Sequence, residues 1–303
     1  MNSFAIVLPC FNEEQELENV MTRLLANQDV DLVVIVDNNS RDKTEEIAKR
    51  FVSCSDRVKL LFEEKQGKGA AFCRGLSMVG EYDYVGVIDA DSTYQSEHFS
   101  EMLAVAKNGN YDMIVGSRMQ DYAENNARFG HLYGNKLISA LLKTLSGVEL
   151  KDSMSGMRVM SKSFINSFES IAQGFQLEAE FSLTCGRNGM RYREVPVKYT
   201  ERDAGNPSKL NTFRDGFKII LFALQFAGFT LTSQIALVFS LILGLTAVFW
   251  GYFLFQEFLE YGKVNGIAAA VAVSILASTS IQIFLGAIIE NRVRRLERHL
   301  MKR

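Results

Sequence analysis

Cysteine is sparse in this chain and poorly spaced for chemistry. Cys10, Cys54, Cys73 and Cys185 form no Cys-x-x-Cys pair and stand beside no histidine cluster. That spacing excludes a zinc ribbon and a disulfide framework, leaving reduced, cytosol-facing thiols as the expectation. An excess of one charge is also lacking, because 33 Lys and Arg residues against 35 Asp and Glu give a net charge of -2 over 303 residues. Bulk charge therefore says little about partners, and no nucleic acid is expected among them. The first apolar run, Phe4 to Leu8, is short, has no basic lead and soon meets Glu13 and Glu14, so no secretory signal peptide is expected. Neither Gly-x-x-x-x-Gly-Lys-Ser/Thr nor Gly-x-Gly-x-x-Gly occurs, which removes support for the phosphate-loop and dinucleotide classes.

The first two thirds of the chain carry an alternating pattern. Phe4 to Leu8 reads as a strand closed by Pro9, and Glu13 to Ala26 places Leu17, Val20, Met21, Leu24 and Leu25 at helical spacing. A strand to Asp37, a helix from about Asp42 to Phe51, a strand from Arg57 to Phe62 and a helix from Gly67 to Met78 repeat it. Such alternation predicts an α/β fold with a mainly parallel, doubly wound sheet and a ligand across the strand ends. Tyr84 to Ile88 is the central strand, and it runs into Asp89-Ala90-Asp91. Carboxylates at i and i+2 of an extended segment face one side and suit Mg²⁺ or Mn²⁺ with a diphosphate completing the shell; the plain alternative is a solvated turn. At neighbouring strand ends, Asp37 and Glu13 suit ribose hydroxyls or a base N–H, or else cap helices. Gly67-Lys68-Gly69 opens a helix where amides and an ammonium favour phosphate, although a tight turn explains the glycines equally well.

Four segments in order, Pro9-Cys10-Phe11-Asn12-Glu13-Glu14, Val36-Asp37-Asn38-Asn39-Ser40-Arg41-Asp42-Lys43-Thr44, Gly67-Lys68-Gly69-Ala70-Ala71 and Asp89-Ala90-Asp91, resemble glycosyltransferase family 2. The pattern is similar to the branch that makes polyprenyl-phosphate sugars, the dolichol-phosphate mannose and glucose synthases. The resemblance implies a GT-A nucleotide-sugar fold and an inverting mechanism. It also implies that Pro9, Glu13, Asp37, Asn39, Gly67, Lys68, Asp89, Ala90, Asp91 and Arg118 form the nucleotide-sugar site. Asp37 and Glu13 would hold the nucleoside, while Asp89 and Asp91 would bind the metal and the diphosphate as catalytic groups. Thr93 departs from the family's pattern, standing where many relatives place a Gln metal ligand, and would ligate through its hydroxyl or a water. Arg118, past the strand Tyr111 to Gly116, suits a bidentate phosphate contact or a surface ion pair.

On the acceptor side, Asp152-Ser153-Met154-Ser155-Gly156-Met157-Arg158 resembles the same family's signature. Asp152 would be a catalytic base or would position the acceptor or Arg158. A strong base is not required, since a phosphate monoester has a second pKa of about 6 and is largely dianionic near neutral pH. The same resemblance implies that Glu178 faces the sugar or acceptor pocket, and that Arg158, Arg202 and Lys209 neutralise phosphates. A solvated helix face for Glu178 and surface placement for Arg202 and Lys209 are the plain alternatives.

From Phe213 the chain changes character. Phe213 to Phe229 has an apolar face with Arg214, Asp215 and Lys218 near its start, as in an interfacial helix. Ser233 to Phe255 and Gly266 to Ile289 lack Asp, Glu, Lys and Arg and exceed the roughly 20 apolar residues that span a bilayer. Arg292, Arg294, Arg295, Arg298, Lys302 and Arg303 follow, so the tail and catalytic domain are expected in the cytosol. Gly266, Ala270, Ser274, Ser278 and Gly286 share a stripe suited to packing against the first span or a second subunit. The expected division is a catalytic domain over 1–212, an interfacial helix over 213–230, a two-helix hairpin over 231–290 and a basic tail over 291–303. The expected activity is metal-dependent transfer of a hexose from a UDP- or GDP-sugar to a polyprenyl phosphate within the membrane. Another lipid or glycan acceptor, or a silent nucleotide-sugar-binding subunit, remains open. The only tryptophan, Trp250, lies inside a span, so the Gln-x-x-Arg-Trp of processive enzymes is absent.

Overall fold

The computed structural model describes residues 3–120, 129–172, 174–200, 212–264 and 266–300. The chain divides into two compact units, Met1–Ala223 and Leu224–Arg303.

In the first unit, β1 (Phe4–Cys10), β2 (Leu32–Asp37), β3 (Val58–Phe62), β4 (Tyr84–Val87), β5 (Met113–Ser117), β6 (Arg158–Ser161) and β7 (Tyr192–Pro196) form one sheet in the order β3-β2-β1-β4-β6-β5-β7. The helices α1 (Leu17–Ala26), α2 (Thr44–Cys54), α3 (Lys68–Val79) and α4 (His98–Gly109) alternate with the first strands. They are followed by α5 (Phe129–Ser146), α6 (Lys162–Ser167), α7 (Leu177–Arg187) and α8 (Thr212–Phe226). Residues of β1 are buried on both sheet faces: Phe4, Ile6 and Leu8 enter one apolar cluster, Ala5 and Val7 the other. This two-sided burial explains the near-continuous apolar run of the strand.

The sheet is mainly parallel, as expected, and becomes mixed in its second half. β1 pairs in parallel with β2 and β4, β2 with β3, and β5 with β7, whereas β6 runs antiparallel to both β4 and β5. The consequence is positional. The start of β6 lies beside the end of β4, with Arg158 opposite Val87, so the loop before β6 reaches the carboxyl ends of its neighbours. Between β1 and β4 the strand order reverses, and open α/β sheets bind ligands at such a switch point.

Leu141, Leu142 and Leu145 of α5 do not share one environment with Leu137: Ile138 and Leu142 are buried, while Leu137 is 65% exposed. The second unit contains α9 (Leu231–Tyr261) and α10 (Ile267–Leu300), an antiparallel pair with many large apolar side chains exposed. Leu231–Tyr261 and Ile267–Val293 are long and apolar enough to cross a membrane, with mean hydropathies of 2.1 and 2.0. The pair is close where residues are small, since a Cβ on Gly244 would stand 3.0 Å from Ser280 Oγ, and Ser280 Oγ donates to the Ser240 carbonyl at 2.8 Å. Ser274 and Ser278 of the small-residue stripe instead face outward and line an open groove with Ala270 and Gln282.

Candidate functional site

The ends of β1 and β2 are tied together by their loops. Asn12, at φ 52°, donates its N–H to Ser40 Oγ at 3.0 Å and accepts from the Arg41 N–H at 2.8 Å. Glu13 is buried, and its N–H donates to Thr44 Oγ1 at 2.8 Å. Pro9 pairs in register with Val36, beyond Val7 where the ladder to β4 ends. Asn39 sits in the turn after β2 at φ 63°. Its neighbour Asn38 organises the crevice: Nδ2 donates to the carbonyls of Glu63 and Lys65, and Oδ1 accepts from the Gly67 N–H at 2.6 Å. Gly67 adopts φ 139° at the N-cap of α3, a conformation that only glycine takes at little cost.

Asp37 ends β2 at 1% exposure. Its Oδ1 accepts from the Ser40 N–H, and its buried Oδ2 has no hydrogen-bond partner among the described residues. Burial pushes its carboxyl above the usual carboxylate range, although the Ser40 hydrogen bonds oppose the shift. A buried oxygen of this kind is costly unless a ligand donor meets it.

At the far end of β4 the strand stops at Val87, so strand alternation does not aim Asp89 and Asp91. A turn does so instead. Ser92 is at φ 57°, and Asp91 Oδ1 accepts the Thr93 N–H at 3.1 Å and the Thr93 hydroxyl at 2.5 Å. Thr93 thus orients Asp91. Asp89 stands against the loop before β6, where a Cβ on Gly156 would lie 2.2 Å from Asp89 Oδ2. The Lys68 ammonium lies 2.5 Å from Asp89 Oδ1 and 2.5 Å from Glu178 Oε1. Burial works against this charge, but the two carboxylates outweigh it and raise the ammonium pKa above its ordinary value. Glu178, at 4% exposure, keeps a buried Oε2 with no partner among the described residues.

Arg118 and Asp152 form a second centre. Arg118 Nε donates to Asp152 Oδ2 at 2.8 Å and Nη2 to Oδ1 at 2.7 Å, while its backbone N–H donates to Oδ2 at 3.0 Å. Asn135 Nδ2 adds a bond to Oδ1 at 2.9 Å. Asp152 is fully buried; burial alone would raise its pKa, but Arg118 holds it below the usual range. A base needs an accessible lone pair and a higher pKa, whereas the Asp152 carboxylate is taken up by Arg118 and Asn135. The guanidinium lies 5.3 Å from the Tyr199 ring centroid and 5.9 Å from that of Tyr94. These rings meet edge to face at 5.0 Å, and Tyr94 OH accepts the Gly156 N–H at 2.8 Å.

Arg158 is placed differently from the phosphate role implied for it. It is fully buried, with Nη2 donating to the Ser153 carbonyl at 2.6 Å, Nε to the Ser155 carbonyl at 3.2 Å, and Cζ 5.3 Å from the Phe181 ring centroid. Its donors brace the loop before β6 from behind. Ala90 is also buried, at 3% exposure. Arg202 and Lys209 lie outside the described residues, though Tyr199 and Thr200 just before them are pinned beside Tyr94 and Thr93. Asn38, Asn135, Tyr94 and Tyr199 were not singled out from the sequence; only their proximity in the fold gives them a role.

Among the described residues, no group of three or more His, Cys, Asp or Glu side chains converges as a metal cage. The carboxylates of Asp89 and Asp91 nevertheless fit a hard cation that keeps water and substrate phosphate in its shell.

A mixed α/β sheet with acidic groups at its strand switch point sets the frame for the comparison with known families. The family described as Glycosyl transferase family 2 matches residues 5–168, and the chain belongs to it. Particular relatives include the dolichyl-phosphate hexose transferase of Haloferax volcanii, 28% identical over 72% of this chain and 91% of that protein. Another is the UDP-N-acetylglucosamine--dolichyl-phosphate N-acetylglucosaminyltransferase of Methanococcus voltae, 27% identical over 71% of this chain and 92% of that one. Among solved structures, glucosyl-3-phosphoglycerate synthase from Mycobacterium tuberculosis in complex with Mn²⁺, UDP-glucose and phosphoglyceric acid shares the fold, with a TM-score of 0.58 and 20% identity over 75% of this chain and 80% of that one.

Proposed function

We propose that this family 2 glycosyltransferase moves a hexose from a nucleoside diphosphate sugar to a polyprenyl phosphate, with inversion at the anomeric carbon, at the cytosolic face of a membrane. The observation that carries the reading is the pair of buried carboxylate oxygens without a hydrogen-bond partner among the described residues, Asp37 Oδ2 at the end of β2 and Glu178 Oε2, whose other oxygen pairs with Lys68. Both are acceptors awaiting donors, and nucleosides and sugars are rich in hydroxyl and N–H groups. Glu13 and Asp37 hold the nucleoside, with Pro9 and Asn39 shaping its pocket. Gly67 and Lys68 meet the diphosphate, and Glu178 meets a sugar hydroxyl.

Asp89 and Asp91 would hold Mg²⁺ or Mn²⁺, which when bound supplies positive charge beside the leaving diphosphate. Arg118, fixed by Asp152 and flanked by Tyr94 and Tyr199, offers a rigid guanidinium to the acceptor phosphate. Arg202 and Lys209 serve the same phosphates from the segment that follows Tyr199. An oxygen of the acceptor phosphate forms the bond to the anomeric carbon as the bond to the nucleoside diphosphate breaks. No proton has to be removed from a phosphate already largely dianionic at a second pKa of about 6, which agrees with the absence of an accessible base at Asp152.

The acceptor class is supported by the relatives whose names specify dolichyl phosphate and by two membrane-length helices in the same chain. The basic residues Arg292, Arg294, Arg295, Arg298, Lys302 and Arg303 favour a cytosolic tail. The test is transfer of radiolabelled sugar from a panel of UDP- and GDP-sugars into organic-extractable lipid by the purified chain with polyprenyl phosphate and Mg²⁺ or Mn²⁺. A labelled, acid-labile lipid that is lost with EDTA is the expected product. Nucleotide binding without lipid product from any donor would refute the acceptor.

A further inference from the structure

We propose that Asn135 is a positioning residue for the transfer step, anchoring the Arg118–Asp152 pair to α5 and so aiming the guanidinium at the acceptor phosphate. The inference rests on the functional reading above, which places that phosphate at Arg118. Four hydrogen bonds reach the Asp152 carboxylate among the described residues, and three of them come from Arg118 itself, through its backbone N–H, Nε and Nη2. Two groups held only to each other can move as one body. The fourth bond, from Asn135 Nδ2 to Oδ1 at 2.9 Å, ties the pair to another element. Glu194 holds the Asp152 main chain, which leaves the direction of the side chain to Asn135.

Packing does not account for an amide at this position. Asn135, Ile138, Ser139 and Leu142 form the buried face of α5, where an apolar residue is the ordinary choice. Asn135 is 7% exposed, and its Oδ1 has no hydrogen-bond partner among the described residues, which is a costly arrangement. A carboxylate ionised beside Arg118 only accepts, so the NH₂ end must face Asp152 and the carbonyl end is left over. One turn later, Ser139 Oγ accepts the Ser153 N–H at 3.3 Å. Helix α5 therefore fixes two consecutive residues of the loop before β6. The donor is also uncharged. Arg118, Arg158, Glu194 and Tyr94 are the other titratable groups about Asp152, and a second carboxylate in place of the amide would contend with Asp152 for Arg118.

The test is sugar transfer to polyprenyl phosphate by the purified full chain, comparing Asn135→Leu and Asn135→Asp with the wild type and melting each protein thermally. Asn135→Leu removes the donor and the unpartnered oxygen together, so its effects on stability offset one another. It should melt within roughly 2–4 °C of the wild type yet transfer about tenfold or more slowly, with the donor KM unchanged within about twofold. Asn135→Asp supplies a readout that a merely structural role would not move. Two buried carboxylates this close share a proton, and the protonated one donates to Asp152 as the amide does. Loss of that proton at higher pH sets two negative charges against one guanidinium. The rate of Asn135→Asp, divided by that of the wild type at each pH, should be close to one near pH ~5 and fall about tenfold by pH ~8; the ratio removes the titration of the acceptor phosphate itself. If Asn135→Leu keeps the wild-type rate, or if the ratio for Asn135→Asp is flat with pH, the Asn135 inference falls and the functional reading stands. If Asn135→Asp does not fold, the rate of Asn135→Leu decides. If the wild type transfers no sugar to polyprenyl phosphate from any donor, the functional reading falls and the inference with it.

Discussion

Replacement of Gly156 by Ala tests whether the position of the Asp89 carboxylate controls the chemistry. The added Cβ would lie 2.2 Å from Asp89 Oδ2 and 2.7 Å from its Cγ. A carbon and an oxygen settle at about 3.3 Å or more, so the carboxylate has to move by about 1 Å. Gly156 is not among the glycines at positive φ, and alanine therefore adds no backbone strain. The displaced group is the end of a side chain, so the fold should lose only about 1 kcal/mol, or a melting shift of roughly 2–4 °C. A misplacement of about 1 Å at a reacting centre costs about 10²-fold in rate. The assay is single-turnover transfer of labelled sugar to lipid, read beside a thermal melt. A folded Gly156→Ala protein that keeps its rate within about twofold would refute the claim that contact between Gly156 and Asp89 sets the geometry.

Three other perturbations separate the roles. Asp37→Asn should raise the KM for the donor about tenfold with little change in kcat, as expected for a group that binds ground and transition states alike. Because burial raises the folded-state pKa of Asp37, its ionisation costs stability as pH rises above the ordinary carboxylate value. The Asn variant should therefore melt no lower than the wild type at pH 7. Asp152, by contrast, has a lowered pKa, so its contribution is present at neutral pH and lost only as pH falls through that depressed value. Asp152→Asn should cost about 3–5 kcal/mol by breaking the buried Arg118–Asp152 pair, and should lower kcat without changing the shape of the pH–rate curve. Loss of the acid limb, where a base becomes protonated, would restore Asp152 as a base. A chain ending before Phe213 should leave the membrane pellet in high salt while the full chain stays; retention of the shortened form would refute anchoring by the apolar helices.

Parts of the site were legible because their signals are local. A β-branched run ending in Asp89-Ala90-Asp91, or a Gly-Lys-Gly at a helix start, carries its meaning in consecutive residues. The direction of β6 has no such signal: four residues, Arg158–Ser161, pair as readily either way until β4 and β5 are in place. Arg158 illustrates the same limit, since a guanidinium two residues past Gly156 reads as a phosphate ligand until the carbonyls of Ser153 and Ser155 are found to consume it. The partners of Lys68 are equally hidden, because Glu178 lies 110 residues away in sequence.

The antiparallel course of β6 explains how the Asp89 and Arg118 centres meet. In a parallel strand, the loop that follows would reach the ligand; here the loop that precedes it does so, carrying Asp152 through Gly156 to the end of β4. Three contacts bind that half of the unit to the loops after β3 and β4: Gly156 against Asp89, the Gly156 N–H on Tyr94 OH, and Glu178 on Lys68. Arg118 joins the same assembly through Asp152, whose main chain is fixed in turn by the Glu194 carboxylate on β7 at 2.8 Å. A shift in the diphosphate site therefore cannot leave the Arg118 centre untouched, because Gly156 is shared by contact with Asp89 and Tyr94, and Tyr94 flanks Arg118. Disturbing Asp89 should thus weaken use of the acceptor as well as the donor.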